Sequence, residues 1–448
     1  MHRPTPHPLA VLVLAGLFQA PAQAGLFDVD PGPYLPANGG FAAWYQDSHG
    51  RVLDLCLSKA VSSRVPGTAA APSYMCTLLP TPGVFDDTQA INFPSNFPDE
   101  AFWFTADAAL TDAARGIDLS YGTAIEAAFA AEEPVEGDQV SFARVRIRVD
   151  VTVPGTYVIT HPYGVEVFDV ATAGRRAINM TRDIGIGAPQ TYTGALKGDV
   201  GPFLRSVNGP YSETNPLTGA SERFVGDPNL EEAVTGSPFN TNYVRIEGPN
   251  GLDLRTEVFS VSGKLSSVNR PTPLIPQRTT YSRRTVNGNP VAQQDVFVLA
   301  PPQPATVTLT SQSPTLALSE ADHTGAWYAQ SPLNPSLPSL LTVVADNQAA
   351  IAASTPTSAN LPLVDLVSIQ RAEYSLGSGQ LTLVATTSDE ITPPTLTAHT
   401  GHGALIGTLG NGGAQKTLTT GQSPIPPATV TVTSSNGGSD SEEVVILP

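Results

Sequence analysis

Lysine is scarce in this chain of 448 residues: only Lys59, Lys197, Lys264 and Lys416 occur. Cysteine appears twice, tryptophan and methionine three times each, and histidine seven times. Charged residues of all kinds make up 14%, against about 25% in an ordinary soluble domain. Each scarcity excludes something. A nucleic-acid-binding face needs clustered Lys and Arg to displace counterions, and a chain with a formal net charge of −17 offers no such excess. Two cysteines with neither a Cys-x-x-Cys spacing nor a neighbouring histidine give no support to a metal or redox pair. Long hydrophobic runs are missing as well. The apolar stretch from Leu9 to Phe18 falls well short of the about 20 residues that a membrane-spanning helix needs.

Proline and glycine are abundant instead, with 42 and 39 residues. Prolines at this frequency interrupt the windows that helical bundles and coiled coils require. Hydrophobic residues at 41% are enough to build cores and argue against wholesale disorder. The composition therefore predicts an all-β protein of short strands and many turns.

The first 24 residues carry the pattern of a secretory signal. Arg3, flanked by His2 and His7, opens it, Leu9 to Phe18 forms the apolar stretch, and Ala22-Gln23-Ala24 supplies the small-x-small cleavage site. The expectation is a secreted or periplasmic protein with no membrane span. In such a compartment Cys56 and Cys76 are expected to form one disulfide across a loop rich in Ala, Ser, Pro and Gly.

Texture divides the remainder. Residues 25–265 are expected to form a β-rich N-terminal region of one sandwich or two. Residues 266–294, with Pro271, Pro273 and Pro276 close together, have the composition of a linker or strap. Residues 295–355 form a small β module and 363–448 a β-sandwich. A hairpin is expected where Asp47-Ser48-His49-Gly50 separates Phe41–Gln46 from Arg51–Ser58. Val145, Ile147, Val149 and Val151 alternate with Arg144, Arg146, Arg148 and Asp150, so one strand puts aliphatics on one face and arginines on the other. Upstream of it, Thr123 to Ala131 suits either a short helix or the partner strand of a hairpin.

The segment Pro154-Gly155-Thr156-Tyr157-Val158-Ile159-Thr160 resembles the tyrosine corner of immunoglobulin-like and related bacterial β-sandwiches. That resemblance implies a Tyr157 hydroxyl bonded back to the chain where it crosses between sheets. In texture, residues 363–448 also resemble the immunoglobulin-like modules of large bacterial secreted proteins. Val367–Tyr374, Gln380–Thr387, Thr395–His399, Thr429–Thr433 and Glu442–Leu447 are the expected strands. No internal repeat stands out between this region and 295–355, although both alternate Thr and Val.

Catalytic signatures are missing from the sequence. It has no Gly-x-Ser-x-Gly elbow and no phosphate-binding glycine motif opening a helix. His399 and His402 form the one close histidine pair beyond residue 24. No cofactor is expected. Calcium is the one ion with any compositional support, through Asp28, Asp30, Asp86, Asp87, Asp99 and Glu100, none of which follows a calcium-loop pattern. Two features can carry binding. Arg144, Arg146 and Arg148 can fork onto carboxylates of a ligand or of neighbouring strands. Phe93, Phe97, Phe102, Trp103 and Phe104, interleaved with Pro and acidic residues, suit either a sandwich core or a groove for sugar or peptide.

The favoured expectation is an exported, non-catalytic structural, surface or binding protein with a cell-surface, glycan or protein partner. One alternative is a carbohydrate- or peptide-binding protein using the aromatic segment 93–104. Another is a secreted hydrolase with a loop-borne site, for which His161 and His49 are the residues to inspect.

Overall fold

A computed structural model describes residues 25–448, apart from 312, 313, 339, 423 and 424. The predicted signal segment lies outside the described residues. The fold is all-β: among the described residues it consists of strands connected by turns, with three short 3-10 segments. No helix among the described residues is long and apolar enough to cross a membrane.

Residues 25–265 build three sheets. The largest has seven strands in the order Arg205–Ser206, Glu232–Thr235, Val258–Ser262, Glu100–Asp112, Ile117–Phe129, Gln139–Val151 and Gly174–Ile184. Its centre is a long antiparallel meander in which Glu100–Asp112 pairs with Ile117–Phe129 and the latter with Gln139–Val151. The ambiguous segment at Thr123 is thus strand, resolved by the turn at Glu136-Gly137-Asp138 in favour of the hairpin. A six-stranded sheet contains Trp44–Asp47 and Val52–Asp54, joined by the expected turn, where Gly50 takes a φ of 83° and its N–H donates to the Asp47 carbonyl at 3.0 Å. A four-stranded sheet pairs Gly155–His161 with Gly164–Val170 and Val244–Gly248. The inner faces of all three sheets feed one apolar cluster running from Leu26 to Val261. Val145, Ile147 and Val149 are fully buried in it, each worth about 1.5–3 kcal/mol of transfer free energy.

Between Val151 and Gly155 the chain leaves the seven-stranded sheet for the four-stranded one. There the Tyr157 hydroxyl donates to the Val153 carbonyl at 2.6 Å, the back-bond that the resemblance implied. Cys56 and Cys76 are disulfide-bonded and pack with Ala60, Met75 and Phe224 in a small cluster of their own.

The segment 266–294 departs from its composition. Instead of a linker it holds the strand Ile275–Val286, paired along its length with Asn289–Leu299. Its prolines keep to the ladder's ends: Pro271 and Pro273 precede this strand, Pro276 adjoins the register shift between Pro276 and Arg278, and Pro290 pairs with Thr285 beside the turn.

These strands begin the first of two sandwiches. One of its sheets runs Ser319–Ala321, Ala326–Gln330, Asn289–Leu299, Ile275–Val286, Val364–Asp365, and the other Leu316–Ala317, Thr306–Leu309, Leu340–Asp346, Thr357–Pro362. The C-terminal sandwich repeats this plan. Gln415–Gly421, Gln380–Thr387, Val367–Ser375 and Val445–Leu447 form one sheet, and Leu405–Thr408, Leu396–Thr400, Thr429–Ser434 and Ser439–Glu443 the other. In both, the last short strand pairs parallel with the first, and the chain alternates between sheets in the immunoglobulin-like manner. The duplication extends to sequence: Gln277-Arg278-Thr279-Thr280-Tyr281-Ser282 matches Gln370-Arg371-Ala372-Glu373-Tyr374-Ser375, with a bulge at each glutamine. Each sandwich has its own apolar cluster.

Candidate functional site

On the polar face of the seven-stranded sheet lies a trough of about 260 Å³. Strand alternation explains its floor. Cross-strand pairing aligns Asp107, Gly122 and Arg146 in one row, Thr105, Ala124 and Arg144 in the next, and Phe102, Glu126 and Phe142 in a third. The central strand thus carries glycine and alanine in two successive rows, and the lack of side chain there hollows the surface. A β-carbon at Gly122 would come within 2.8 Å of Asp107 Oδ1, so the carboxylate leans over the glycine. The bulge between Phe102 and Phe104 lets both Trp103 and Phe104 face the core, while Phe102 and Thr105 stay on the trough side. Thr77 and Leu79, which follow the disulfide, form a wall. Thr77 is stitched down by a 3.2 Å contact between its hydroxyl and that of Thr105, and by its N–H donating to Ser262 Oγ at 3.2 Å.

The trough's charges divide into a paired set and an unpaired one. Arg144 donates from Nε and Nη2 to the two Asp183 oxygens at 2.7 and 2.9 Å, and from Nη1 to Glu126 at 3.1 Å. Arg144 is therefore locked by acidic cross-strand neighbours. Arg146 and Arg148 are not. Their row neighbours are Gly122 and Thr181 for Arg146, and Ser120 and Asn179 for Arg148, all uncharged. The Nε atoms of both are buried without a hydrogen-bond partner. Arg146, followed by burial, lowers the pKa of Arg148, as expected of adjacent cations.

Two carboxyl groups here are shifted upward. Burial pushes Glu126 up to about 8 against the pull of Arg144. Asp107 is exposed at the mouth, yet desolvation by the surrounding walls outweighs Arg146 and shifts its carboxyl upward.

The other sequence candidates lie elsewhere. Phe97, Trp103 and Phe104 are fully buried and Phe93 packs against the same core, so the groove expected of segment 93–104 is mostly core. Phe41, Phe93, Phe97 and Phe129 contact one another ring to ring, and the Trp103 indole N–H donates to the Ala42 carbonyl at 3.1 Å. Only Phe102, itself 7% exposed, is in the trough's lining, together with Arg144 and Arg146. His161 is buried with Nδ1 3.3 Å from both the Tyr163 N–H and the Tyr121 hydroxyl. His49 is buried against Thr324 of the middle sandwich. Neither lines the trough. Among the acidic candidates, Asp30 accepts from the Gly32 and Ala43 N–H groups, Asp86 from Thr88, and Asp99 from the Thr81 hydroxyl. No group of three or more His, Cys, Asp or Glu able to hold a metal occurs among the described residues.

Sequence reasoning named the arginines and Phe102 but missed Asp107, Gly122 and Glu126. Their signal was present: Gly122, Ala124 and Glu126 share a face by period two, opposite the arginine strand.

No family model matches the chain, and neither does any curated protein sequence. Among solved structures, the polymeric Ig receptor ectodomain of a teleost fish is 10% identical, covering 38% of this chain and 98% of its own, with a TM-score of 0.20. A 1.5-MDa bacterial ice-binding adhesin is also 10% identical, over 68% of this chain and 91% of its own, with a TM-score of 0.16. SGBP-B of the Bacteroides ovatus mixed-linkage glucan utilization locus, in complex with a mixed-linkage heptasaccharide, is 12% identical over 49% of this chain and 64% of its own, with a TM-score of 0.16. Similarity at this level does not bear on the trough, and the functional reading rests on the chain's own residues.

Proposed function

We propose that this is an exported, non-catalytic binding protein whose trough grips a hydroxyl-rich ligand of the carbohydrate class, while the two sandwiches that follow space and present it. The observation that carries this reading is the hollow above Gly122 and Ala124, flanked by Phe102, by the acceptor Asp107 and by the donor Arg146. Sugar hydroxyls need acceptors and donors side by side, with some apolar surface for the ring. At about 260 Å³ the trough is smaller than a cavity that encloses a drug-sized ligand (roughly 300–1,000 Å³), which suits gripping one residue of a longer chain. Export is supported by the N-terminal signal pattern and by the disulfide, a bond at home in oxidising compartments.

The test is retention on a broad glycan array by the wild type and by Gly122→Val. The valine drives the Asp107 carboxylate off the floor, so retention should vanish while the melting temperature holds. Equal retention by the variant would remove the trough from the reading.

A hydrolase reading is favoured by one observation, the presence of two carboxyl groups, Glu126 and Asp107, in the lining of one trough, both shifted upward. Release of reducing ends from a retained glycan, abolished in Glu126→Gln, would establish it over simple binding.

A further inference from the structure

Within the binding reading, which this inference presupposes, the ligand's charge is open. Three observations bear on it. First, Arg146 and Arg148 stand two residues apart on one strand face, and no carboxylate forms an ion pair with either among the described residues, whereas Arg144 on the same face has two. Second, the Nε of each is removed from water and meets no acceptor. Among the described residues, the Nη atoms of both are neither buried without a partner nor engaged in an ion pair, so it is these that an incoming carboxylate meets. Third, Arg146 lines the trough and Arg148 continues its line beyond the mouth, so the two cations form a track leading out of the hollow rather than a closed pair.

We infer that the trough binds an acidic polysaccharide, a polymer of uronate residues, with one sugar over Gly122 and the carboxylates of this and the next residue on Arg146 and Arg148. Spacing supports a polymer: alternate residues of a strand are about 6.6 Å apart, within the reach of flexible arginines to successive sugar units. An acidic peptide is the less suited occupant. Peptides dock on sheets chiefly by adding a strand to an unpaired edge, and the trough floor consists of strands paired on both sides. Asp107 would also repel acidic side chains packed against the floor, while it accepts from sugar hydroxyls.

Binding of the full-length protein to polygalacturonate, alginate and hyaluronan, and to fully methyl-esterified polygalacturonate as the uncharged counterpart, tests this by titration calorimetry at two salt concentrations. The expected result is binding of at least one uronate polymer, weakened by salt and at least tenfold weaker for its esterified form. The double variant Arg146→Gln, Arg148→Gln should lose at least tenfold on the acid polymer. Gly122→Val should lose binding altogether, and both variants should keep the wild-type melting temperature. Equal affinity for acid and ester, unmoved by the double variant, would overturn the charge assignment and leave the carbohydrate reading standing. Polyglutamate binding in place of the uronates would overturn the ligand class, and failure to bind any glycan, charged or neutral, would bring down both.

Discussion

Asp389 of the C-terminal sandwich is fully buried and shares its Oδ2 between the Tyr281 hydroxyl, at 3.0 Å, and Arg283 Nε, at 2.9 Å, both on the first strand of the preceding sandwich. The Asn436 side-chain amide also donates to the Tyr281 hydroxyl, at 2.8 Å, and the main chains join through Arg283 N–H to Ser388 and Glu390 N–H to Arg283. Burial works to raise the Asp389 carboxyl, but Arg283, the Thr392 N–H and Tyr281 outweigh it and hold the group below the ordinary range. Two sandwiches of one plan are thus fastened by a charge that neither could bury alone. Arg283→Ala strands that charge and should cost about 2 kcal/mol, below the ~3–5 kcal/mol for fully buried pairs because the arginine is partly exposed. Denaturant midpoints of the two proteins check it. Since the folded pKa is depressed, this contribution is complete above the unfolded value near 4 and is lost as pH falls through the folded one.

The joint ahead of it carries a histidine instead. His49 lies between the N-terminal region and the middle sandwich, with Nε2 3.4 Å from the Thr324 carbonyl, while the Asn347 amide donates to its own carbonyl at 3.3 Å. Burial, then the Arg51 charge, lowers it to about 3. The unfolded chain takes up the proton first, so stability falls as pH drops from about 6.5 towards 3, by up to about 1.4 kcal/mol per pH unit. Asp47 works in the opposite sense, because burial raises it to about 6 and the folded form then holds the proton more tightly than the unfolded. Subtracting the stability–pH curve of His49→Gln from that of the wild type isolates the histidine. A difference that does not change with pH between 4 and 6 would show His49 to be unconstrained.

Trp103→Ala should cost about 3–5 kcal/mol, because the indole is fully buried and its removal also leaves the Ala42 carbonyl without its donor. Any loss of glycan retention in this variant should track the folded fraction, measured by thermal denaturation on the same samples. Phe102→Ala, in contrast, should weaken retention at temperatures where the variant is fully folded.

Much of the fold was legible because strands declare themselves by period two. The arginine strand, the hairpin at Asp47–Gly50 and the strands of 363–448 all follow from alternation and turn residues. Composition misled at 266–294, where prolines that precede a strand or adjoin its bulge look in sequence like those of an extended linker. The duplicated sandwich escaped notice because the shared Gln-Arg-x-x-Tyr-Ser spans only six positions, and topology tolerates nearly free substitution elsewhere. In the trough, the floor is made by small residues, and glycine in a strand announces a missing side chain only once its cross-strand neighbours are known.

Tyr157→Phe tests the corner. It leaves the ring in the core and removes only the hydroxyl that reaches Val153, so the expected loss is about 1 kcal/mol, the net worth of one hydrogen bond. Equilibrium urea denaturation resolves a change of this size, and an unaltered midpoint would mean that water replaces the hydroxyl without cost.

The disulfide ties stability to the trough. Cys56 and Cys76 close a loop with a sequence separation of 20, and Thr77, one residue beyond, begins the wall that stands over Thr105. The Cys56 N–H also donates to the Phe102 carbonyl at 2.9 Å, so both ends of the bridge abut the trough strand. Chain-entropy arguments give such a crosslink about 3 kcal/mol. Cys56→Ser with Cys76→Ser should therefore lower the denaturation free energy by about that amount. If the bridge also positions the wall, the double variant should bind its glycan several-fold more weakly even at temperatures where it is fully folded, with Thr77→Ala reproducing part of the loss. Unchanged affinity in the folded double variant would confine the disulfide to stability.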